Sequence, residues 1–275
     1  MYLLTGAQIN EDRASKAGTE DQKESKKGKI PVIEIFGPTI QGEGGVIGVQ
    51  TYFARLGGCD YRCSMCDSLH AVLPALVHKN GAWMDQNELA DLLIAEMDKT
   101  RTQWLTLSGG NPAMHDLTIL VQRLQTAGIR IAVETQGTLW QDWLIDCEYV
   151  TVSPKGPGMG ETFDPKAFEE HFSRYNYNAV EFSVKFVIMQ AADLEFAKNI
   201  IEKWNLFNFC QVYLSLGNPI PPGKDLEQVT TSQVRETVLN AYAITVDEIL
   251  QDPFFRDARI LPQFHVLLWG NKQGV

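Results

Sequence analysis

From Pro31 onward, short β-rich runs alternate with amphipathic helical stretches. This alternation constrains the fold of the 275-residue chain more than any other feature. Residues 32–36 and 51–56 predict strands, being rich in β-branched and aromatic side chains. Asp85 is placed as a helix N-cap with Glu88 three residues on, and Leu89, Leu92, Leu93 and Met97 form one apolar face behind it. Further strands are predicted at 104–107, 130–133, 149–152, 181–188 and 211–214. Helices are predicted at 117–124, from the Asp164-Pro165 start, at 193–204 and at 232–250, with 259–261 preceding the terminal segment. Such a pattern predicts an α/β fold, a mostly parallel sheet with covering helices, because parallel neighbours need a crossover. Functional residues in such folds gather at the carboxyl ends of the strands. The polar and glycine motifs fall there: 41–44, Gly57-Gly58-Cys59, Ser108-Gly109-Gly110, Glu134-Thr135 and Ser153-Pro154-Lys155. With no internal repeat and no second boundary, one catalytic domain is expected over residues 30–275.

The loop after the second strand carries Cys59, Cys63 and Cys66, a C-x3-C-x2-C spacing. Three thiolates this close can wrap one metal centre, and soft sulfur ligands favour iron–sulfur clusters or zinc. Zinc would need a fourth ligand, for which His70 is the candidate. Three cysteines without an obvious fourth fit a cubane with one open iron better. Cys147 and Cys210 lie near apolar runs and are expected as ordinary buried thiols. His70, His78, His115 and His171 are otherwise assigned no role.

A C-x3-C-x2-C loop after a strand and a glycine pair resembles the radical S-adenosylmethionine superfamily. Ser108-Gly109-Gly110-Asn111-Pro112 resembles its Gly-Gly-Glu-Pro motif, with Asn111 in place of Glu. More specifically, residues 30–275 resemble the 7-carboxy-7-deazaguanine synthase family. The resemblance rests on 36–44, Arg55, Cys66-Asp67-Ser68, Glu134-Thr135-Gln136-Gly137-Thr138, Ser153-Pro154-Lys155 and the tail from Leu261-Pro262-Gln263-Phe264-His265 to Val275. It implies a modified partial (β/α) barrel with its site at the carboxyl ends of the strands. It also implies a reaction: 6-carboxy-5,6,7,8-tetrahydropterin becomes 7-carboxy-7-deazaguanine with loss of ammonia and ring contraction, a step in queuosine and deazapurine biosynthesis. The implied cofactors are a 4Fe-4S cluster, S-adenosylmethionine and Mg2+. The implied partners are the pterin substrate, a reductant such as flavodoxin or ferredoxin, and a second copy in a homodimer.

The same resemblance distributes roles. Cys59, Cys63 and Cys66 would hold three irons, leaving the fourth for the amino and carboxylate groups of S-adenosylmethionine. Met65, Cys66 and Asp67 would pass its adenine, and Gly110 its methionine end, where a missing Cβ allows close approach. Ser153, Pro154 and Lys155 are further cofactor contacts, as are Ser215 and Asn218, although Ser215 stands where the family often has Gln. Ile40, Gln41, Gly42 and Glu43 would read the pterin edge. Arg55 would grip the carboxylate with its planar fork. Ser108, Gln263, His265 and Val275 would complete the substrate site, the last three closing it from the C-terminus. Ser68 matches a residue that binds magnesium through its hydroxyl.

Composition sets the remaining bounds. A formal net charge of −10 argues against general nucleic-acid affinity. No apolar run suits a membrane span, and Met1 to Asn10 lacks the basic start of a secretory signal, so a reduced, cytoplasmic setting is expected. Residues 11–29 hold eleven charged side chains in nineteen, with only Ala14 and Ala17 apolar. Residues 1–29 are therefore expected as a mobile extension. Two rival functions fit parts of the pattern: a glycyl-radical activating enzyme, which shares the cysteine spacing but needs no Gln-Gly-Glu-Gly loop, and a zinc-stabilised binding module.

Overall fold

The strands read as a sheet with one apolar and one polar face. Leu105 and Leu107 alternate with Thr106 and Ser108, Ile131 and Val133 with Glu134, Val150 and Val152 with Thr151, and Val184 and Phe186 with Ser183 and Lys185. Successive side chains point to opposite faces, so the apolar set meets the helices and the polar set meets the interior. The computed structural model describes residues 2–16, 28–178, 180–220 and 229–275.

Strands β1 (Tyr2–Thr5), β2 (Ile30–Ile40), β3 (Gln50–Leu56), β4 (Ala82–Met84), β5 (Trp104–Gly109), β6 (Arg130–Thr135), β7 (Tyr149–Val152), β8 (Phe182–Ile188), β9 (Gln211–Leu216) and β10 (Arg259–Pro262) form one sheet. Its order is β1-β2-β3-β5-β6-β7-β8-β9-β10, with β4 also paired to β2. From β3 to β10 every pairing is parallel, whereas β2 runs antiparallel to β1, β3 and β4. The parallel strands follow chain order without reversal, as in a barrel, yet among the described residues β1 and β10 do not pair and the sheet stays open. This is the mostly parallel, partial-barrel α/β architecture expected from the sequence.

Helices α4 (Gln86–Thr100), α5 (Thr118–Thr126), α6 (Pro165–Asn178) and α7 (Ala191–Trp204) follow β4, β5, β7 and β8 and bury Leu89, Leu93, Leu120, Leu124, Phe168 and Ile201 in the main core. Asp85 caps α4 as predicted, accepting a hydrogen bond from Asn87 N at 2.8 Å. Short α2 (Leu69–Val72) and α3 (Pro74–Asn80) lie between the cysteine loop and β4, while α8 (Thr231–Leu250) and α9 (Phe264–Trp269) bury Val234, Val238 and Val266 together.

The N-terminus corrects an expectation. Residues 2–5 add strand β1 to the outer edge of β2, with Leu3 opposite Phe36, and residues 6–16 form α1 (Gly6–Lys16), whose Ile9 is 3% exposed. A strand edge recruits backbone N–H and C=O groups whatever the flanking composition. The charged run beyond it therefore misled the boundary for residues 2–16. The rest of that run, 17–27, lies outside the described residues. Among the described residues no helix is long and apolar enough to cross a membrane.

Candidate active site

The polar sheet face opens into a pocket lined by residues from the carboxyl ends of the parallel strands β3 and β5–β9, and by the loop that leaves the antiparallel strand β2. The loop leaving β2 is shaped by its own first side chain: Gln41 Oε1 accepts from Gly42 N at 2.8 Å and Glu43 N at 3.3 Å. Its Nε2 donates to Glu134 Oε1 on β6, 3.2 Å away. The C-terminal segment closes onto this loop. Phe264 N donates to Gly42 O at 3.1 Å and Gln263 Nε2 to Glu43 Oε1 at 2.9 Å. A Cβ on Gly42 would lie 2.5 Å from His265 Nδ1, so the contact needs glycine.

Lys185, from the middle of β8, joins these parts. Its Nζ donates to Glu43 Oε2 at 2.8 Å and to Glu134 Oε2 at 3.0 Å. Burial alone would raise the Glu43 carboxyl, but the Lys185 ammonium, His265 and the Gln263 bond override it and hold Glu43 at about 2. Glu134 goes the other way: burial and the neighbouring Glu43 charge raise it despite Lys185. One carboxyl is thus lowered and its neighbour raised, as expected where two buried carboxylates share one ammonium.

The cysteine loop shares this pocket, and its Asp67 brings a carboxylate oxygen within 4.8 Å of ligand atoms of Glu43 and His265. Cys59, Cys63 and Cys66 all line the pocket. Burial raises all three thiols, Cys63 to about 12. Three neighbouring thiols held in this way become thiolates when a cationic centre replaces their protons. The surroundings fit an iron–sulfur cluster: Tyr61 N and Gln136 Nε2 each approach Cys59 Sγ at 3.4 Å as N–H donors. Gly110 sits so close that an added Cβ would meet Gly58 O at 2.0 Å and Cys59 Cβ at 2.9 Å. Gln136 also donates to Asp60 Oδ1 at 2.6 Å. Asn111, standing where the superfamily motif has Glu, is fully buried and structural: it donates to Asp60 and accepts from Thr135 and Ala113 N.

The described structure brings most of the predicted residues into this one pocket. Ile40, Gln41, Gly42, Glu43, Arg55, Met65, Cys66, Asp67, Ser68, Ser108, Gly110, Ser153, Lys155, Asn218, Gln263, His265 and Val275 line it; Pro154 and Ser215 do not. Ser215 is buried within β9, and Asn218 has its amide bonded to Asn271 and Ile220 N. Arg55 comes with an acidic partner: its Nε donates to buried Glu34 at 2.6 Å, and its fork lies over Phe36. His70 Nε2 stands 3.6 Å from Glu34, and its Nδ1 is 3.4 Å from Gln273 Nε2. His70 thus belongs to the Glu34 cluster and lies outside the pocket lining, which removes it as a fourth zinc ligand. Ser108 Oγ and Gln263 Oε1 are buried in the lining with no bond among the described residues, as atoms awaiting a ligand would be.

Lys185 was missed from the sequence, and Glu134 was seen only as a motif. The available signal was a lone lysine inside the apolar strand at 182–188.

A mostly parallel open sheet with three cysteine thiols and a polar network lining one pocket has the layout that the resemblance to the radical S-adenosylmethionine class implies. A 4Fe-4S single cluster domain model matches residues 40–152. The 7-carboxy-7-deazaguanine synthase of Bacillus subtilis is 38% identical over 249 residues, covering 90% of this chain and 98% of the relative. That of Bacillus cereus is 35% identical over 254 residues, covering 90% and 99%. The chain belongs to the 7-carboxy-7-deazaguanine synthase family. The crystal structure of QueE from Escherichia coli shares the fold, with a TM-score of 0.57 at 23% identity, covering 86% of this chain and 95% of that one.

Proposed function

We propose that the protein converts 6-carboxy-5,6,7,8-tetrahydropterin to 7-carboxy-7-deazaguanine with loss of ammonia. The observation that carries this reading is one pocket lined by both the three cysteines and the Gln41–Glu43–Lys185–Glu134–Gln263 network. Cys59, Cys63 and Cys66 would hold a 4Fe-4S cluster, which together with S-adenosylmethionine would supply the radical chemistry needed for hydrogen abstraction from the substrate.

The chain's own residues do the rest. Glu43, held ionised by Lys185, accepts N–H groups of the pterin edge. Ser108 Oγ and Gln263 Oε1 offer unfilled hydrogen-bonding capacity beside it. Arg55 meets the substrate carboxylate with its Nη edge while Glu34 holds Nε and fixes the angle of the fork. The segment from Gln263 to Val275 covers the bound pterin and excludes water. Gly110, Ser153 and Lys155 receive the cofactor, with Lys155 Nζ donating to Ser153 Oγ at 2.9 Å.

Mg2+ belongs beside Ser68. Its hydroxyl is buried in the pocket lining and donates to Asp67 Oδ1 at 2.6 Å, and the ligand atoms of Glu43, Asp67 and His265 lie within 4.8 Å of one another. The Ser68 hydroxyl and the Asp67 and Glu43 carboxylates are hard oxygens that suit magnesium completed by substrate and water, whereas His265 offers a ring nitrogen. Ser68→Ala is expected to flatten the magnesium response of single-turnover rates; a titration identical to wild type removes the hydroxyl as a ligand.

A low-potential flavodoxin or ferredoxin supplies the electron, and the working unit is a homodimer. The decisive experiment is anaerobic turnover of reconstituted enzyme with the pterin, S-adenosylmethionine and dithionite. The expected product is the deazaguanine; a protein that cleaves S-adenosylmethionine but leaves this pterin intact defeats the assignment.

A further inference from the structure

The cysteine loop contains no regular helix or strand between Gly57 and Ser68, so its shape has to come from its neighbours. Among the described residues it is held along one side by the loop that follows β7. Tyr61 Oη donates to Thr162 O at 3.0 Å, Arg62 N donates to Glu161 Oε1, and Ser64 N donates to Met159 O at 2.9 Å. Residues 61–64 and 159–162 therefore run against each other in opposite directions. Gly160, at φ +73, makes the turn that lets them do so.

The 156–162 loop closes on itself through Met159 N to Gly156 O and Gly160 N to Pro157 O, both at 3.0 Å, and a buried carboxylate ties it to α7. Asp193, in the first turn of α7, is 1% exposed. Its Oδ2 accepts from Met189 N at 2.9 Å and Gln190 N at 3.1 Å, the bonds expected of a residue closing its own helix start. Its Oδ1 does something capping does not require: it accepts from Gly158 N, 35 residues away, at 2.8 Å. Two glycines make room for it. A Cβ on Gly156 would lie 2.7 Å from Asp193 Oδ1, and one on Gly158 would lie 2.3 Å from Oδ2. Met159 and Met189, on either side of the carboxylate, both line the pocket.

We propose that Asp193 is a positioning residue: through Gly158 and Met159 it fixes the Tyr61–Ser64 side of the cysteine loop, and with it the seat of the cluster and of the S-adenosylmethionine bound to it. The proposal rests on the reading that Cys59, Cys63 and Cys66 hold the cluster. Asp193 touches neither substrate nor cofactor, so its effect is on geometry and on retention of iron.

The test uses anaerobically reconstituted enzyme and the variants Asp193→Asn, Asp193→Ala and Gly158→Ala. Asn keeps one acceptor oxygen but no charge; Gly158→Ala drives a methyl group into the carboxylate. Loss of a hydrogen bond to a charged group predicts about tenfold faster iron release to a chelator and an about tenfold higher KM for S-adenosylmethionine. The KM for the pterin should stay within about twofold, and the change that S-adenosylmethionine makes to the reduced cluster's EPR spectrum should differ from wild type. Gln190→Ala, which disturbs the helix start without touching Gly158, should leave all these readouts at wild-type values. Wild-type iron release and an unchanged cofactor KM in both Asp193→Asn and Gly158→Ala overturn the proposal. The same shift in Gln190→Ala also overturns it, because the effect would then be helix capping alone. A wild-type protein that binds no iron would instead defeat the cluster reading itself.

Discussion

Replacing Lys185 by Met removes the ammonium that bridges Glu43 and Glu134 at 2.8 and 3.0 Å while roughly keeping the side chain's length. Lys185 is 7% exposed, so water does not readily take its place. In the wild type, Glu43 is held at about 2 against an ordinary 4.5, which corresponds to about 3 kcal/mol. Breaking a buried ion pair by deleting one partner costs about 3–5 kcal/mol by mutational precedent, so the two lines of reasoning agree. The pH dependence carries a sign. In the wild type the lowered Glu43 contributes stability that is present above about pH 4.5 and is lost as pH falls towards 2. In Lys185→Met, burial acts on both carboxylates with that counter-charge gone, and both rise. Stability is then lost as pH rises above the ordinary carboxylate range. Denaturant unfolding of the anaerobic holoenzyme from about pH 5 to about pH 8 should therefore show a deficit that widens with pH towards about 3 kcal/mol. A deficit that is independent of pH, or below about 1 kcal/mol throughout, refutes the argument.

Cys59→Ala, Cys63→Ala or Cys66→Ala should each abolish cluster assembly and turnover, whereas Cys147→Ala and Cys210→Ala should keep full iron and sulfide content; a Cys66→Ala protein with normal iron and activity contradicts the cluster assignment. Deleting residues 1–16 uncovers the edge of β2 and removes buried Ile9, so thermal melting should show a loss of about 2 kcal/mol or more, and an unchanged melt would mean that β1 does not pack. Arg55→Lys keeps the charge but cannot hold Glu34 and present a two-pronged edge together; pterin affinity should fall about ten- to a hundredfold with S-adenosylmethionine binding spared, and equal pterin affinity would take Arg55 out of the site.

How much of this was legible in the chain depends on the distance over which each relation acts. Cys59, Cys63 and Cys66 lie within eight residues, so one short loop brings them together whatever the rest of the chain does. The Asp85 cap is local in the same way, and the predicted helix start is the observed one. The alternation of β-rich runs with amphipathic helical stretches already implied a mostly parallel sheet with covering helices. The glycine and polar motifs at the strand ends marked where chemistry would collect.

Other features depend on relations the linear pattern cannot express. Lys185 meets Glu43 across 142 residues and Glu134 across 51, and Gln263 meets Glu43 across 220. In the sequence Lys185 is only a charge inside an apolar strand; the barrel-like order of strands supplies its partners. Residues 2–5 are a four-residue run cut off from the next strand by a charged segment, and what holds them is the open backbone edge of β2. His70, near enough to the cysteines to suggest a zinc ligand, is turned to Glu34 by α2. The sequence by itself determined most of the strands and helices beyond residue 30, the cysteine spacing and the loops in which the polar motifs gather, because these follow from local spacing and periodicity. The tertiary structure alone decided which charges neutralise one another and which loop braces the cluster, because electrostatic and hydrogen-bonding partners are set by distance in space and burial, which the order of residues along the chain does not carry.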